Sequence, residues 1–307
     1  MEMIQTYRKR TFIGQVRRVL ARPQFWFGLL VLVPWFVWYV IFEYRPILLG
    51  LWMSMLKYNL LNPEQSKFIG FTNFATVLSY NRFWIALGNT FLYSILVYAL
   101  SMPIALIVSW CIVTVKRGRG FYQFVTFIPV VISAVAVAMV GRMLFDPQSG
   151  LLNQILIDIH LPTKLWLASS DTAMITLVSV DVWKGLGFSV VLLSAAMLNI
   201  PETLFDAAKV DGVNGWQLLW HITIPLIANT TVMVSILNVM GGLQTYVFPV
   251  ILGPGPGTST LVINQIIIDE AFQSWKFGFA SAISLIMFVI ILVLTQLQMR
   301  FQATWEY

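Results

Sequence analysis

The stretch that decides the reading is DAAKVDGVNGWQLLWHITIP, Asp206 to Pro225. It holds Asp206, Lys209 and Asp211, then Gly212, Asn214 and Gly215, and slides back into apolar residues before Pro225. Extended backwards, Asn199-Ile-Pro-Glu reads as a helix start. Asn199 can cap, Pro201 suits a first turn, and Glu202 stands where a capping box places its acid. Glu202, Asp206 and Lys209 then share one face, and Leu204, Ala207 and Ala208 another. Asp211-Gly212 ends this helix, because glycine takes the left-handed conformation of a helix C-terminus. Residues 213–222 suit a second short helix with Trp216, Leu219 and Trp220, and Pro225 opens the next apolar run.

Around this interlude the chain is mostly oil. Of 307 residues, 58% are hydrophobic and 10% charged, with a mean hydropathy of +0.80. A soluble domain carries about 25% charged residues, so this chain cannot cover itself with a solvated surface and belongs in a lipid bilayer. The net charge of +6 suits basic loops that set membrane orientation. It lacks the interleaved aromatic and basic residues of a nucleic-acid groove. One cysteine, Cys111, excludes an internal disulfide.

A spanning helix needs about 20 apolar residues. Six runs qualify: about 25–42, with Pro34; between Arg82 and Lys116; between Arg119 and Arg142, with Pro129; about 172–199, with Asp181 and Lys184; about 224–252; and between Lys276 and Arg300. The expected architecture is an all-α integral membrane protein of six transmembrane helices over residues 25–300. A basic segment, 1–24, precedes them and a tail, 301–307, follows. The first run is too long for a signal-peptide core and no small-x-small cleavage site follows it. Basic residues crowd the N-terminal segment and the short connection at Lys116, Arg117 and Arg119. That places both termini, and residues 199–222, in the cytoplasm.

Two readings of the interlude stay open on its residues alone. It is an amphipathic helix lying on the membrane, or a knob for a cytoplasmic partner. For the knob, Ala207 and Ala208 admit close approach and Asp206 offers a charge-assisted contact.

Here a resemblance enters. Asp206-Ala207-Ala208, three residues, Gly212, nine residues, Ile222-x-Ile224-Pro225 resembles the EAA motif of ABC-importer permeases, usually Glu-Ala-Ala, three, Gly, nine, Ile-x-Leu-Pro. Asp206 replaces Glu and Ile224 replaces Leu. Most of the chain is similar to the carbohydrate-uptake branch, the maltose, multiple-sugar and glycerol-3-phosphate type. The matching pieces are Phe68-Ile-Gly-Phe-Thr-Asn-Phe74, Asn89-Thr90, Arg119-Gly120, Pro129, Phe145-Asp-Pro147, Gly150-Leu-Leu-Asn153, Asn199-Ile-Pro201 and Gly278-Phe-Ala-Ser-Ala282. Gly253 to Thr258 departs from the family's usual Thr-x-Gly-Gly-Pro.

The resemblance implies a type I importer permease fold and a bacterial or archaeal cell (inner) membrane. It implies a second homologous permease beside this one, two ATPase subunits docked on the coupling helices, and an extracytoplasmic solute-binding protein. Glu202, Asp206, Ala207, Ala208, Asp211, Gly212, Ile222 and Pro225 would make the ATPase contact. ATP and Mg would sit on the partner ATPases, with no cofactor in this chain. The cargo implied is a sugar or oligosaccharide moved inward by alternating access; glycerol 3-phosphate is the alternative within the family.

The rest of the sequence agrees in kind. No Gly-Lys dipeptide occurs, so there is no GxxxxGK[ST] phosphate cradle. His160 and His221 are isolated, which argues against a metal site, and no catalytic constellation stands out. Asp181 and Lys184, i and i+3 near one end of the fourth run, are expected to pair with each other. Asn238, Gln244 and Tyr246 in the fifth run, with Trp183 in the fourth, supply the amide, hydroxyl and aromatic groups a sugar needs. Hydrogen bonding between helices explains Asn238 equally well. A stand-alone secondary transporter would need coupling acids in the spans, and from Gly212 to Ile268 there is no Asp, Glu, Lys or Arg.

Overall fold

A computed structural model describes residues 22–60, 62–115, 117–253 and 255–303. Most of the basic N-terminal segment and the end of the C-terminal tail lie outside the described residues, as do Leu61, Lys116 and Pro254. The chain divides into two units, Met1–Met53 and Ser54–Tyr307.

The described part of the first unit is helical almost throughout. The apolar run expected at 25–42 extends into Pro23–Ser54 (α1), with a five-residue π turn at Val40–Tyr44. The same device recurs at Leu219–Thr223, and each wide turn ends two residues before a proline, Pro46 and Pro225. Proline brings no N–H and its ring presses on the carbonyl four residues back. Those carbonyls, of Phe42 and His221, fall inside the wide turns, where re-registering by one residue relieves the clash.

In the second unit two tiny strands, Leu56–Lys57 (β1) and Lys67–Phe68 (β2), pair antiparallel. The helices follow: Thr72–Ser79 (α2), Asn81–Thr114 (α3), Arg119–Val131 (α4), Ala134–Leu144 (α5), Leu151–Asp158 (α6) and Ser170–Leu198 (α7). Then come Glu202–Val210 (α8), Gly215–Leu218 (α9), Ile224–Leu226 (α10), Ala228–Leu243 (α11), Val247–Ile251 (α12), Ile263–Ile268 (α13) and Phe277–Ala303 (α14).

Among the described residues, five helical stretches are long and apolar enough to cross a membrane, and the bent pair α4–α5, taken as one span, makes a sixth. The third run is therefore not a straight span. It bends by 90° between α4 and α5, because Ile132 and Ser133 are extended just after Pro129. The break leaves the last carbonyls of α4 without helical donors. Lys184 of α7 reaches one of them, donating to the Val130 oxygen at 3.3 Å. A cation at a helix C-terminus is also favoured by the helix dipole. Lys184 is thus occupied by the bend and does not pair with Asp181. The fifth run breaks too, at Gln244–Tyr246, between α11 and α12.

The core is α3 lying against α7 and α11. Gly187 lets α7 press on α4, where a Cβ would stand 2.1 Å from the Thr126 carbonyl oxygen. Gly242 likewise meets the Ser94 backbone of α3. Three buried clusters fill the bundle. One lies between α3, α7 and α12 around Tyr93 and Leu177. A second joins α3, α13 and α14 around Phe83, Ile263 and Ile283. The third, around Leu193, Met197 and Val234, also takes in Ile200, Leu219 and Ile227. It ties the interlude to the bundle.

Candidate functional site

The interlude folds as two helices because its turn residues demand it. α8 stops at Val210, and Gly212 takes φ +75°. The Val213 N–H then reaches back to the Ala208 carbonyl at 3.0 Å, the 6→1 bond of a Schellman motif. Two residues on, Asn214 caps α9. Its Oδ1 accepts the Gln217 N–H at 2.9 Å, and Gln217 Oε1 accepts the Asn214 N–H at 3.1 Å. The capping box therefore lies at Asn214–Gln217 and not at Asn199–Glu202. Asn199 ends α7 with helical φ −83°, and Pro201 separates it from α8. The Asn-x-x-Gln spacing was readable in the sequence and was missed.

Glu202, Asp206, Ala207, Asp211, Gly212 and Pro225 are exposed and Ile222 is half-buried. Ala208 differs: it is 4% exposed, covered by the chain itself. Of the alanine pair, only Ala207 is open to another surface. Leu219 is buried, and Phe205 and Ile224 pack against the same cluster. Trp216 and Trp220 stand edge to face at 5.7 Å with more than half or half of their surface free. The two-helix knob thus turns acids and a small residue outward and is rooted by apolar side chains.

The second site is a cleft of about 340 Å³ between α3, α7 and α11. Asn238 stands at its centre. Its amide donates to Ser189 Oγ at 3.1 Å and to the Val234 carbonyl at 2.8 Å, and its Oδ1 accepts from Ser101 Oγ at 3.1 Å. Asn238 therefore bonds three helices together while still lining the cleft. Asp181 lines it too, and accepts a 2.8 Å hydrogen bond from the Tyr93 hydroxyl. Among the described residues no Lys or Arg lines this cleft.

The other substrate-path residues lie elsewhere. Gln244 and Tyr246 occupy the α11–α12 break, outside the cleft lining. Trp183, 54% exposed, lines a separate apolar cleft beside the α4–α5 bend. Ser101, Ser189 and Tyr93 were missed by the sequence reading. Ser94 and Ser101 fall two helical turns apart on α3, which carries no charge after Arg82, a polar stripe that could have flagged the seam.

Several motif pieces prove to be clasps. Asn73 donates to the Ser54 and Leu56 carbonyls. Asn89 donates to those of Thr258 and Leu261 at 2.7 and 3.0 Å, and the Ile263 N–H donates to Thr90 Oγ1. Asn153 donates to the Pro147 and Lys164 carbonyls and accepts from Trp166 Nε1.

A membrane bundle with an acid-faced knob at one end and a polar cleft within it defines a transport subunit, and the comparisons name its class. Residues 101–306 match the family described as binding-protein-dependent transport system inner membrane component, and the chain belongs to that family. It is similar to the probable ABC transporter permease protein YurN of Bacillus subtilis, 31% identical over 90% of this chain and 95% of that one. It is also similar to the diacetylchitobiose uptake system permease protein NgcF of Streptomyces coelicolor, 31% identical over 84% of this chain and 77% of that one. A solved bacterial alginate ABC transporter, in complex with an alginate pentasaccharide-bound periplasmic protein, superposes with a TM-score of 0.80. That match is 26% identical and covers 94% of this chain and 96% of the other. The protein is a permease subunit of an ABC importer.

Proposed function

We propose that this permease moves a sugar or oligosaccharide inward, powered by ATP and Mg bound on two separate ATPase subunits. The path lies between it and a second, homologous permease, and an extracytoplasmic solute-binding protein delivers the cargo. The observation that carries the reading is the knob α8–α9, self-capped at its turn, rooted by Leu219 and Ala208, and presenting Glu202, Asp206, Ala207 and Asp211 outward. Such a body can pass a push to the α3–α7–α11 bundle through the cluster it shares with them. On this reading the knob and both termini are cytoplasmic.

For the cargo, the support is the named uptake of a saccharide by NgcF and by the alginate transporter, and a cleft lined by hydroxyl, amide and carboxylate groups. Among the described residues a phosphate would meet the Asp181 carboxylate in the lining and no Lys or Arg there, which favours a neutral polyol over glycerol 3-phosphate. A secondary transporter is less well supported, since among the described residues Asp181 is the one acid lining this cleft and Tyr93 holds it.

The test is Asp206→Lys in the purified assembly. The chain should insert normally while ATP-driven uptake falls to background, either with futile ATP hydrolysis or with loss of the ATPase from the complex. Unimpaired ATP-driven uptake by this variant would remove the docking role.

A further inference from the structure

A cleft of about 490 Å³ lies at the α14 N-terminal end of the second unit, lined by Lys57, Tyr58, Asn59, Gln65, Lys67 and Trp275. Its two cations face each other. Lys57 and Lys67 are direct cross-strand partners in the β1–β2 pair, which puts their Cβ atoms about 5 Å apart on one face. Like charges in that position oppose pairing, and a ladder of two residues has little with which to resist them. Among the described residues neither lysine has an acid within ion-pair distance. Of the carboxylates on the segments around the cleft, Glu64 is exposed and not part of the lining, and Glu270 is held by Lys276 at 3.1 Å and by the Tyr80 hydroxyl at 3.2 Å.

Trp275 is the second peculiarity. It has φ +58°, a conformation that strains any bulky side chain. The Ser274 and Lys276 N–H groups, bonded to the Asp269 and Glu270 carbonyls, fix the backbone on either side of it. The result is an indole 58% exposed on the wall of the cleft, with Phe272 beside it 63% exposed. The Asn59 N–H donates to Ser66 Oγ and the Asn62 N–H to Asn59 Oδ1, which ties the described residues on the two limbs of the β1–β2 connection together.

Its level in the molecule says what fills it. β1 begins two residues after Ser54, the last residue of one membrane-length helix, and Phe277, which packs against both Tyr58 and Phe272, opens another. The cleft therefore lies where the hydrocarbon layer ends and headgroups begin, the depth at which Trp and Tyr collect. We propose that it is a binding site for the headgroup of an anionic phospholipid. The phosphate lies between Lys57 and Lys67 and relieves their repulsion, the amide of Gln65 meets a headgroup hydroxyl, and Trp275 and Phe272 lie along the first carbons of the chains.

The experiment uses the full chain in nanodiscs of phosphatidylcholine, with and without phosphatidylglycerol. Acetylation of each lysine by an amine-reactive reagent is read by mass spectrometry, and retained lipid by native mass spectrometry. Phosphatidylglycerol should protect Lys57 and Lys67 selectively and survive on the protein. Lys57→Gln/Lys67→Gln should cut its retention roughly tenfold or more, and Lys57→Arg/Lys67→Arg should restore it. The glutamine pair removes a repulsion and so folds at least as well. Equal protection in phosphatidylcholine alone, or unchanged retention by the glutamine variant, would overturn the site. Protection by inorganic phosphate or trigalacturonate in phosphatidylcholine discs, with none from phosphatidylglycerol, would overturn the lipid assignment. None of these readouts needs ATP or transport, so their failure and that of the Asp206→Lys test are separable.

Discussion

The two ends of the bundle are held by different forces. At the end where α3, α7 and α14 begin, side-chain amides reach across the sequence to backbone carbonyls: Asn73, Asn89 and Asn153 each clasp two. At the other end, from Val213 to Leu226, every side-chain hydrogen bond among the described residues closes within five residues. This stretch joins the bundle through buried apolar side chains instead. Hydrogen bonds are directional and fix one geometry, whereas apolar contact is not. The clasped end is built to keep its shape. The knob is built to keep its own shape and to shift as a body against the bundle.

The largest expected effect breaks the apolar root. Leu219→Ala removes a side chain 1% exposed from the cluster shared with Leu193 and Val234, at a cost of about 2–5 kcal/mol. Deuterium exchange should rise across Glu202–Leu226 while α3 stays protected, and ATP-driven uptake should fall with the ATPase still bound. A rise spread over the whole bundle would mean that the knob is not a separate body. The next is Asn89→Leu at the clasped end, which strips donors from the Thr258 and Leu261 carbonyls and costs about 1–3 kcal/mol. Exchange should rise at 255–263 and leave the knob untouched. Coupled changes at both ends would erase the contrast.

The sequence disclosed the knob better than the clasps, for a physical reason. Gly212 and the DAA spacing are local signals, read within a few residues, and a Schellman turn needs nothing else. The partners of Asn89 lie about 170 residues away, so the resemblance could point to the residue and not to its bond. Asn238 shows the same limit: its polarity was legible, but Ser101 and Ser189 come from two other helices. The bend after Pro129 was hidden because composition is blind to it. An apolar run reads as one span whether or not Ile132 and Ser133 extend. Lys184, read as half of a pair with Asp181, holds the Val130 carbonyl, a contact that exists only because of that bend.

A smaller change tests whether the knob's turn is set locally. Gly212→Ala leaves open space around the new Cβ, so its whole cost is the left-handed φ, about 1–2 kcal/mol. The variant should loosen the α8–α9 turn, seen as faster exchange at Val213, and lower uptake less than Leu219→Ala. Gly212→Asn should fall between the alanine variant and the parent, since asparagine tolerates that region. An alanine variant with full protection at Val213 would mean that the bundle, and not the glycine, imposes the turn.

The smallest effect is a matter of charge. In the loop after α5, Asp146 Oδ1 accepts the Ser149 N–H at 2.7 Å, the Ser149 hydroxyl at 2.9 Å and the Gln148 N–H at 3.0 Å. The Ser149 bonds, then that from Gln148, with help from Arg142, lower its pKa from the ordinary 3.8. A lowered folded value means the unfolded chain binds the proton more tightly. The loop's gain is therefore complete above 3.8 and is lost as pH falls through the lower folded value. The knob's counterpart, the Asn214–Gln217 capping box, contains no titrating group. In protein labelled with nitrogen-15 at serine and glutamine, the Ser149 amide should titrate with a midpoint below 3.8. Gln217 should stay level over the same range, and Asp146→Asn should flatten Ser149. A Ser149 midpoint at or above 3.8 would show that these bonds do not hold the carboxylate.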